Sequence, residues 1–139
     1  VEVLGAYVHW IKSGLYRGLL ISRETEGFHN LWEWLQKHPT GPTRTVTLTT
    51  VARTIATMHD VGIVHADLNL TNILVQPGKT SPQVLLLDFD RARILSNPVS
   101  RSQRQRTLRR LQRSFPKLNP GGALYSPDDI ALLCTEPSP

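Results

Sequence analysis

The sequence predicts an α+β fold, in which two strands come first and helices mixed with short strands follow. Three observations lead to this prediction. Near the start, two runs rich in β-forming residues are separated by the turn Lys12-Ser13-Gly14. From residue 47 onward, apolar residues recur at three- and four-residue steps, which is the spacing of a helix face. Further along, two short apolar runs are separated by Pro and Gly turn residues, as in a hairpin.

The N-terminal residues are expected to form a hairpin, a connector and a short helix. Residues 3–9 and 15–22 are rich in β-forming side chains and predict two antiparallel strands. The polar residues 23–27 break this pattern. A short helix is then expected to begin at Leu31 and to end near Pro39.

The central residues predict a longer helix followed by three short extended segments. This helix is expected to run from Thr47 to Gly62, and its apolar face consists of Leu48, Val51, Ile55 and Met58. Extended segments are expected at residues 63–65, 73–75 and 84–87. Since Pro-Gly and Ser-Pro turns separate the last two, they are expected to pair as a hairpin.

The C-terminal residues predict one basic helix and a tail. Residues 102–115 place Leu108, Leu111 and Phe115 on one helical face with arginines around them, which is typical of an amphipathic helix. From residue 116 the chain is rich in Pro, Gly and Ser, so a loop-rich tail is expected, with residues 136–139 frayed.

Composition narrows the class of protein. With 139 residues and 40% hydrophobic residues, the chain is expected to form one modest domain. The single cysteine, Cys134, excludes an internal disulfide and a multi-cysteine zinc site. No apolar run approaches the ~20 residues that span a bilayer. The net charge is +5, and nine of the sixteen Lys and Arg residues lie between Arg91 and Lys117, which favours anionic partners.

Two polar motifs flank the predicted hairpin. A His-Ala-Asp triplet ends at Asp67 and is followed five positions later by Asn72, and Asp88 comes directly after the second strand. Because a hairpin brings its two outer ends together, we expect these three side chains to converge. Oxygen ligands suit Mg²⁺, and a carboxylate can accept a hydroxyl proton, so the set is suited to phosphoryl transfer. Asp and Asn are also common in turns that have no catalytic role.

The spacing of these motifs is similar to that of protein kinases. There, an Asp orients and deprotonates the acceptor, an Asn five positions later binds metal, and the Asp of a later Asp-Phe-Gly segment binds metal too. This resemblance implies catalysis by Asp67, metal binding by Asn72 and Asp88, and ATP and Mg²⁺ as cofactors. His65 is expected to brace the loop. The other histidines lack metal-ligand spacing and are expected to be surface or helix residues, namely His9, His29, His38 and His59.

Finer sequence details resemble the lipopolysaccharide kinase family. They are the loop at residues 65–74, the Asp-Phe-Asp-Arg segment at 88–91, the Tyr-Arg-Gly-Leu-Leu-Ile strand at 16–21 and the arginine-rich helix at 108–114. The resemblance implies a protein-kinase-like fold, consisting mainly of the helical C-terminal lobe with the last strands of an incomplete N-terminal lobe. Under this interpretation the chain is a C-terminal fragment, with strands in 1–22, a hinge at 23–27, the C-lobe at 28–118 and a tail at 119–139.

The resemblance also implies a function. Members of the family transfer the ATP γ-phosphate to a hydroxyl of 3-deoxy-D-manno-octulosonic acid (Kdo) on a lipid A precursor, at the cytoplasmic face of the inner membrane. A peripheral attachment to that anionic surface is expected, and nucleic acid is not expected as a partner. Asn69 replaces the Lys of Ser/Thr protein kinases, and Asp90 replaces the Gly of Asp-Phe-Gly, which favours a sugar acceptor.

The remaining site residues are assigned by the same resemblance. The nucleotide is expected at the connector, through Ser22, Arg23, Glu24 and Thr25, although this segment could equally be a solvated link. The acceptor is expected to contact Asn69, Arg91, Arg109, Arg110 and Arg113. Two alternatives stay open, a small-molecule phosphotransferase of the aminoglycoside or choline type and a non-catalytic kinase-like binding module. Since no Gly-rich loop or strand Lys for the phosphates is recognisable, the isolated chain is expected to bind ATP weakly.

Overall fold

The computed structural model describes residues 2–38, 40–78, 81–122 and 124–135. In these residues the chain forms four α-helices and seven strands, so the predicted α+β class is confirmed. The strands are β1 Val3–Lys12, β2 Leu15–Ser22, β3 His29–Asn30, β4 Ile63–Val64, β5 Ile73–Gln76, β6 Gln83–Leu86 and β7 Arg93–Ile94. The helices are α1 Leu31–Lys37, α2 Pro42–Asp60, α3 Arg101–Leu118 and α4 Pro127–Cys134.

Strands β1 and β2 form a two-stranded antiparallel sheet of their own, called the hairpin below. Its apolar side chains are largely exposed on both faces, and Trp10 and Leu20 each have 67% of their surface accessible. Trp10 contacts Tyr16 across the strands, with ring centroids 5.4 Å apart. The hairpin therefore obtains its order from its ladder and from a few cross-strand contacts, with little apolar burial.

The rest of the described chain, from residue 29 to 135, encloses a hydrophobic core and is called the compact part. Helix α1 buries Leu31, Trp34 and Leu35 against α2 residues such as Leu48 and Ile55. A three-stranded sheet of order β3-β5-β6 and helices α3 and α4 complete this core. The side chain of Asn30 caps α1 by accepting a hydrogen bond of 2.9 Å from the amide of Glu33.

Helix α2 begins five residues earlier than the apolar spacing predicted. Proline occupies its first turn, where no intrahelical N–H is needed, and Arg44 is buried there instead of an apolar residue. The Arg44 guanidinium forms an ion pair of 2.9 Å with Asp129 and donates to main-chain carbonyls of Leu35, His38 and Leu124. A buried, fully bonded arginine leaves no apolar signal in the sequence, which is why the first turn was missed.

The predicted loop-rich tail is wrong in one respect, because it contains helix α4. Ser126 and Asp129 form a capping box at its start, and Leu133 is buried in the core. Helix α3 also continues beyond its predicted end, through Pro116, to Leu118. The expectations for Pro39 and for residues 136–139 lie outside the described residues.

His59 lies on a helix, as expected, but it is buried rather than exposed. It lies near the end of α2 with only 1% of its surface accessible, and its Nε2 atom has no hydrogen-bond partner among the described residues. The pKa of His59 is lowered to about 4, chiefly by burial and also by the positive charge of Arg104, while the charge of Asp60 opposes both effects. The imidazole is therefore neutral at pH 7.

Candidate active site

The β5–β6 ladder places the two predicted motifs at one end of a hairpin. Ile73 pairs with Leu86, so Asn72 and Leu87 meet just beyond the paired residues, and the Leu87 amide donates to the Asn72 carbonyl at 2.9 Å. Asp88 follows at once, and Asp67 lies near enough for its charge to act on Asp88. The structure thus brings together Asp67, Asn72 and Asp88, as the sequence predicted.

The loop between β4 and β5 is ordered by its own side chains. The main-chain oxygen of Asp67 accepts hydrogen bonds from Nδ2 of Asn69 at 3.1 Å and from Nδ2 of Asn72 at 3.0 Å. Oδ1 of Asn69 accepts from the amides of Thr71 and Asn72 and from the Thr71 hydroxyl. Asn69 therefore caps the short 3₁₀ turn Leu70–Asn72. Its predicted contact with the acceptor stays a prediction, and the structure shows that its amide orders the loop.

His65 connects this loop to the end of β6. The ring has 2% of its surface accessible, its Nε2–H donates to the Leu87 carbonyl at 2.8 Å, and its Nδ1 accepts from the Asp67 amide at 3.1 Å. These two partners place a proton on Nε2 and leave Nδ1 as an acceptor. The ring of Phe89 lies 4.8 Å from the imidazole. These are the contacts that a loop-bracing histidine requires.

Asp88 has two unusual properties. Its φ of +64° lies in the left-handed region, which non-glycine residues seldom occupy and which recurs at functional sites. A side-chain hydrogen bond with Asp90 and the charge of Asp90 raise the pKa of Asp88, with smaller contributions from desolvation and from the charge of Asp67, and His65 opposes them. The carboxylates therefore repel one another at a point where a cation would relieve the repulsion.

The residues at this point fit magnesium held together with a nucleotide. In the described part of the chain, no group of three or more His, Cys, Asp or Glu side chains could hold a metal ion by itself. Nδ2 of Asn72 donates to the Asp67 carbonyl, so the Oδ1 atom of Asn72 is left to bind a cation. Mg²⁺ typically takes one or two carboxylates and completes its shell with waters and phosphate oxygens.

Helix α3 lies against the loop and brings basic side chains to it. Nη1 of Arg110 pairs with Oδ1 of Asp67 at 3.1 Å, and both side chains are about half exposed. Below them, the Ser114 hydroxyl accepts from the Leu70 amide at 3.3 Å and donates to the Leu111 carbonyl at 2.6 Å. Helix α3 is therefore fixed in position relative to the loop.

A pocket of about 250 Å³ lies between helix α3 and the loop, and we call it the loop-side pocket. It is lined by Asp67, Asn69, Arg110, Arg113, Ser114 and Lys117. Arg109, which was expected to bind the acceptor, lies about 100° around the helix from Arg110 and is exposed. Arg91 is also exposed, and neither residue lines this pocket. Lys117 was missed, although its spacing of seven from Arg110 puts both on one face.

In the predicted nucleotide connector Ser22, Arg23 and Glu24 are exposed and Thr25 is half-buried, and main-chain hydrogen bonds join the connector to Glu2 and to Phe28. Ser22 ends β2 opposite Val3, and Arg23 donates to Glu2 through its amide at 2.8 Å and its Nε at 2.6 Å. The Thr25 carbonyl accepts from the Phe28 amide at 3.4 Å, and Glu24 is exposed. The structure does not test their predicted role in binding the nucleotide.

Residues 3–131 match the family model described as the lipopolysaccharide kinase (Kdo/WaaP) family. A 3-deoxy-D-manno-octulosonic acid kinase of Pasteurella multocida is 32% identical over 114 residues, which are 82% of this chain and 45% of that protein. The Xanthomonas axonopodis pv. citri protein of the same name is 37% identical over 110 residues, 78% of this chain and 41% of that protein. The chain thus spans less than half the length of these relatives.

A solved structure described as WaaP in complex with acyl carrier protein is similar to this chain. The TM-score is 0.69 with 16% identity, and the match covers 95% of this chain and 56% of the other. At this identity the likeness concerns the fold. It confirms the protein-kinase-like fold that was predicted from the loop and strand-end motifs.

Proposed function

Because the chain belongs to the lipopolysaccharide kinase (Kdo/WaaP) family, we propose that the protein containing it phosphorylates a Kdo hydroxyl on a lipid A precursor, with ATP as the donor. This reaction belongs to lipopolysaccharide core biosynthesis. The observation that carries the proposal is the convergence of Asp67, Asn72 and Asp88 at one end of the β5–β6 hairpin. This chain supplies the side of the site that faces the acceptor.

In the proposed mechanism, Asp67 acts on the acceptor. Its carboxylate is about half exposed, on a loop whose main chain is held by Asn69 and Asn72, so it can receive a hydroxyl in a fixed direction. Asp67 orients this hydroxyl and accepts its proton as the phosphoryl group is transferred. His65 holds the loop by its hydrogen bonds to the Asp67 amide and the Leu87 carbonyl.

Asn72 and Asp88 are proposed to hold Mg²⁺ together with the phosphates of ATP. When bound, the metal neutralises negative charge on the phosphates and on the three neighbouring carboxylates of Asp67, Asp88 and Asp90. The adenine is proposed to meet the main chain at residues 23–25, with Ser22 beside it. Main-chain groups of this connector can donate and accept hydrogen bonds whatever its side chains.

The acceptor and its membrane surface are both anionic, and this supports a peripheral location at the cytoplasmic face of the inner membrane. Four arginines of helix α3 are exposed within residues 102–115, namely Arg106, Arg109, Arg110 and Arg113, and each basic residue near such a surface can contribute ~1 kcal/mol of attraction. No helix in the described ranges is both long and apolar enough to cross a bilayer. The proposed attachment is therefore electrostatic.

Acceptor profiling tests the proposed function. The protein as its gene encodes it is incubated with radiolabelled ATP, Mg²⁺ and one of three acceptors: Kdo-bearing lipid A precursor, an aminoglycoside or choline. We expect label only in the Kdo-bearing lipid, and mass spectrometry then locates the new phosphate on the sugar. Label in the aminoglycoside or choline would favour the small-molecule phosphotransferase. Absence of transfer to all three, with intact nucleotide binding, would favour the non-catalytic module.

A further inference from the structure

We propose that the loop-side pocket binds an oxyanion of the acceptor, a carboxylate or a phosphate, and that Arg110 leaves Asp67 for this oxyanion when the acceptor binds. The inference rests on the proposed function and adds to it a defined subsite and a role for one arginine. In this inference the anionic group of the acceptor is bound by Arg113 and Lys117 in addition to Arg110. Arg109 does not take part.

The arrangement of charge in the loop-side pocket is the first support. Three cationic side chains, those of Arg110, Arg113 and Lys117, line it together with the single carboxylate of Asp67. Arg110 is paired with that carboxylate, whereas Arg113 and Lys117 have no ion-pair partner among residues 2–38, 40–78, 81–122 and 124–135. The pocket therefore has an excess of positive charge that an anionic group would neutralise.

The spacing along α3 is the second support. Arg110, Arg113 and Lys117 recur at steps of three and four, so they share one helical face, and Ser114 of the same face is bonded to the loop amide of Leu70. A helix that only attracts anions to its surface would not need its basic residues aligned on one face. The face is turned toward the catalytic loop, and the cations converge beside the carboxylate that is proposed to act on the acceptor.

The size of the pocket indicates that it receives part of a larger molecule. At about 250 Å³ it is smaller than typical sites that enclose a whole ligand, and it opens beside Asp67. A sugar acid that presents a hydroxyl to Asp67 would place a neighbouring charged substituent within reach of Arg113 and Lys117. The pocket then fixes the direction in which the hydroxyl approaches the carboxylate.

The Arg110–Asp67 ion pair is suited to exchange. It has a single contact of 3.1 Å, and both side chains are about half exposed, so solvent screens it and little stability depends on it. An arginine can instead form two parallel hydrogen bonds to a carboxylate or phosphate. When Arg110 takes this alternative partner, the Asp67 carboxylate becomes free to accept the acceptor's proton. Acceptor binding and release of the base are thereby coupled.

The principal test is steady-state kinetics of the gene-encoded protein with both charges removed, in the variant Arg113→Ala/Lys117→Ala. We expect the KM for the Kdo-bearing lipid to rise about tenfold or more, and the KM for ATP to change less than about twofold.

Arg101→Ala is the matched control, because Arg101 is an exposed arginine of α3 that does not line the pocket. The charge-preserving Arg113→Lys/Lys117→Arg variant should recover most of the loss. Equal increases in both KM values, or an equal effect of Arg101→Ala, would overturn the proposal.

Two modified acceptors identify the source of the oxyanion. One carries the Kdo carboxyl as an amide, and the other lacks the lipid A phosphates. The difference in acceptor KM between wild type and Arg113→Ala/Lys117→Ala should disappear with the acceptor that lacks the group bound by the pocket. If it persists with both acceptors, no oxyanion of the acceptor occupies the pocket and the inference is wrong.

Titration with inorganic phosphate separates this inference from the proposed function. In nuclear magnetic resonance spectra, phosphate should shift the guanidinium signals of Arg110 and Arg113 in wild type, and it should shift Arg110 less in Arg113→Ala/Lys117→Ala. If no acceptor is phosphorylated but this response is seen, the proposed function fails and the anion pocket stands. If phosphate shifts neither arginine, the pocket fails whatever the kinase activity.

Discussion

Both the hairpin and the compact part contain many large apolar residues, but only the compact part buries them. Leu20 in the hairpin has 67% of its surface accessible, whereas Leu35 in α1 has none. The same contrast holds for ion pairs. Arg23–Glu2, directly beyond the ends of the hairpin strands, is more than 60% exposed on both sides, and Arg44–Asp129 in the compact part is almost completely buried. Local sequence pattern therefore forms the hairpin, whereas tertiary packing stabilises the compact part.

The contrast extends to function, because Asp67, Asn72 and Asp88 all lie in the compact part. The loop that carries Asp67 is braced from below by His65 and by Ser114 of α3, which are both buried. In the connector at residues 23–25, Arg23 and Glu24 are exposed, and Arg23 is bonded to Glu2, just before the hairpin. The proposed acceptor side is therefore held by buried side chains, whereas the proposed nucleotide side is not. Fixed geometry matters most where a proton is transferred.

The largest expected effect is that of Asp67→Asn on phosphoryl transfer. This change removes the carboxylate that is proposed to accept the hydroxyl proton, so kcat should fall by about 10²–10⁴. The dissociation constant of the nucleotide, measured by calorimetry, should stay within a few-fold of wild type, since the proposed ligands of Mg²⁺ are intact. Asp128→Asn is the matched control, because Asp128 is exposed on α4 and loses the same charge.

Asp88→Ala gives a contrast within the same site. It should lower the magnesium-dependent affinity for ATP as well as turnover, because it removes a proposed metal ligand. If Asp67→Asn retained wild-type rates, or if Asp88→Ala kept its full metal-dependent affinity, the two assignments would have to be abandoned.

The next largest effect is expected from Arg44→Met, and it concerns stability. Loss of this buried arginine leaves Asp129 charged without its partner and breaks hydrogen bonds that join α1, α2 and the segment before α4. Urea unfolding should show a loss of about 3–5 kcal/mol in the free energy of unfolding. Arg23→Met, which breaks the exposed pair of the hairpin, should cost less than about 1 kcal/mol. Similar losses in both variants would contradict the proposed difference between the two parts.

The pKa of Asp129 provides a second readout of that ion pair. Burial alone would raise it, but hydrogen bonds from Arg44 and Ser126, together with the charge of Arg44, outweigh burial and lower it. A carboxyl whose pKa is lower in the folded state stabilises the fold above its unfolded pKa, and that contribution disappears as the pH falls through the folded value. In Arg44→Met the free energy of unfolding should therefore depend less on pH over the acidic range in which Asp129 takes up its proton.

The sequence predicted what depends on local pattern and missed what depends on burial. The hairpin turn, the apolar face of α2 and the convergence of Asp67, Asn72 and Asp88 followed from spacing. The first turn of α2 was missed because its buried residue is an arginine, which is satisfied only by residues distant in sequence. Helix α4 was missed because it is short and lies in a Pro- and Gly-rich context. Lys117 was not assigned because its register with Arg110 matters only once α3 packs on the loop.

The smallest of the expected effects is a pH dependence that arises from His59. Its pKa is lowered from 6.5 to about 4 in the fold, chiefly by burial, so protonation favours the unfolded chain. Above about pH 6.5 the histidine is neutral in both states and adds no pH dependence, and as the pH falls from there toward 4 it increasingly destabilises the fold, by at most ~3 kcal/mol. Urea unfolding at about pH 7.5 and about pH 4.5 measures the loss.

His59→Leu should reduce this loss by about 2 kcal/mol relative to wild type, because a neutral side chain has no proton to bind. His9→Leu is the matched control, because it makes the same replacement at an exposed position of the hairpin, and its loss of stability at low pH should exceed that of His59→Leu. Acidic groups such as Asp129 contribute equally to all three proteins, so the comparison isolates the histidine. An unchanged pH dependence in His59→Leu would mean that the imidazole is solvated in the folded state, and that α2 is not packed at this position as the structure describes.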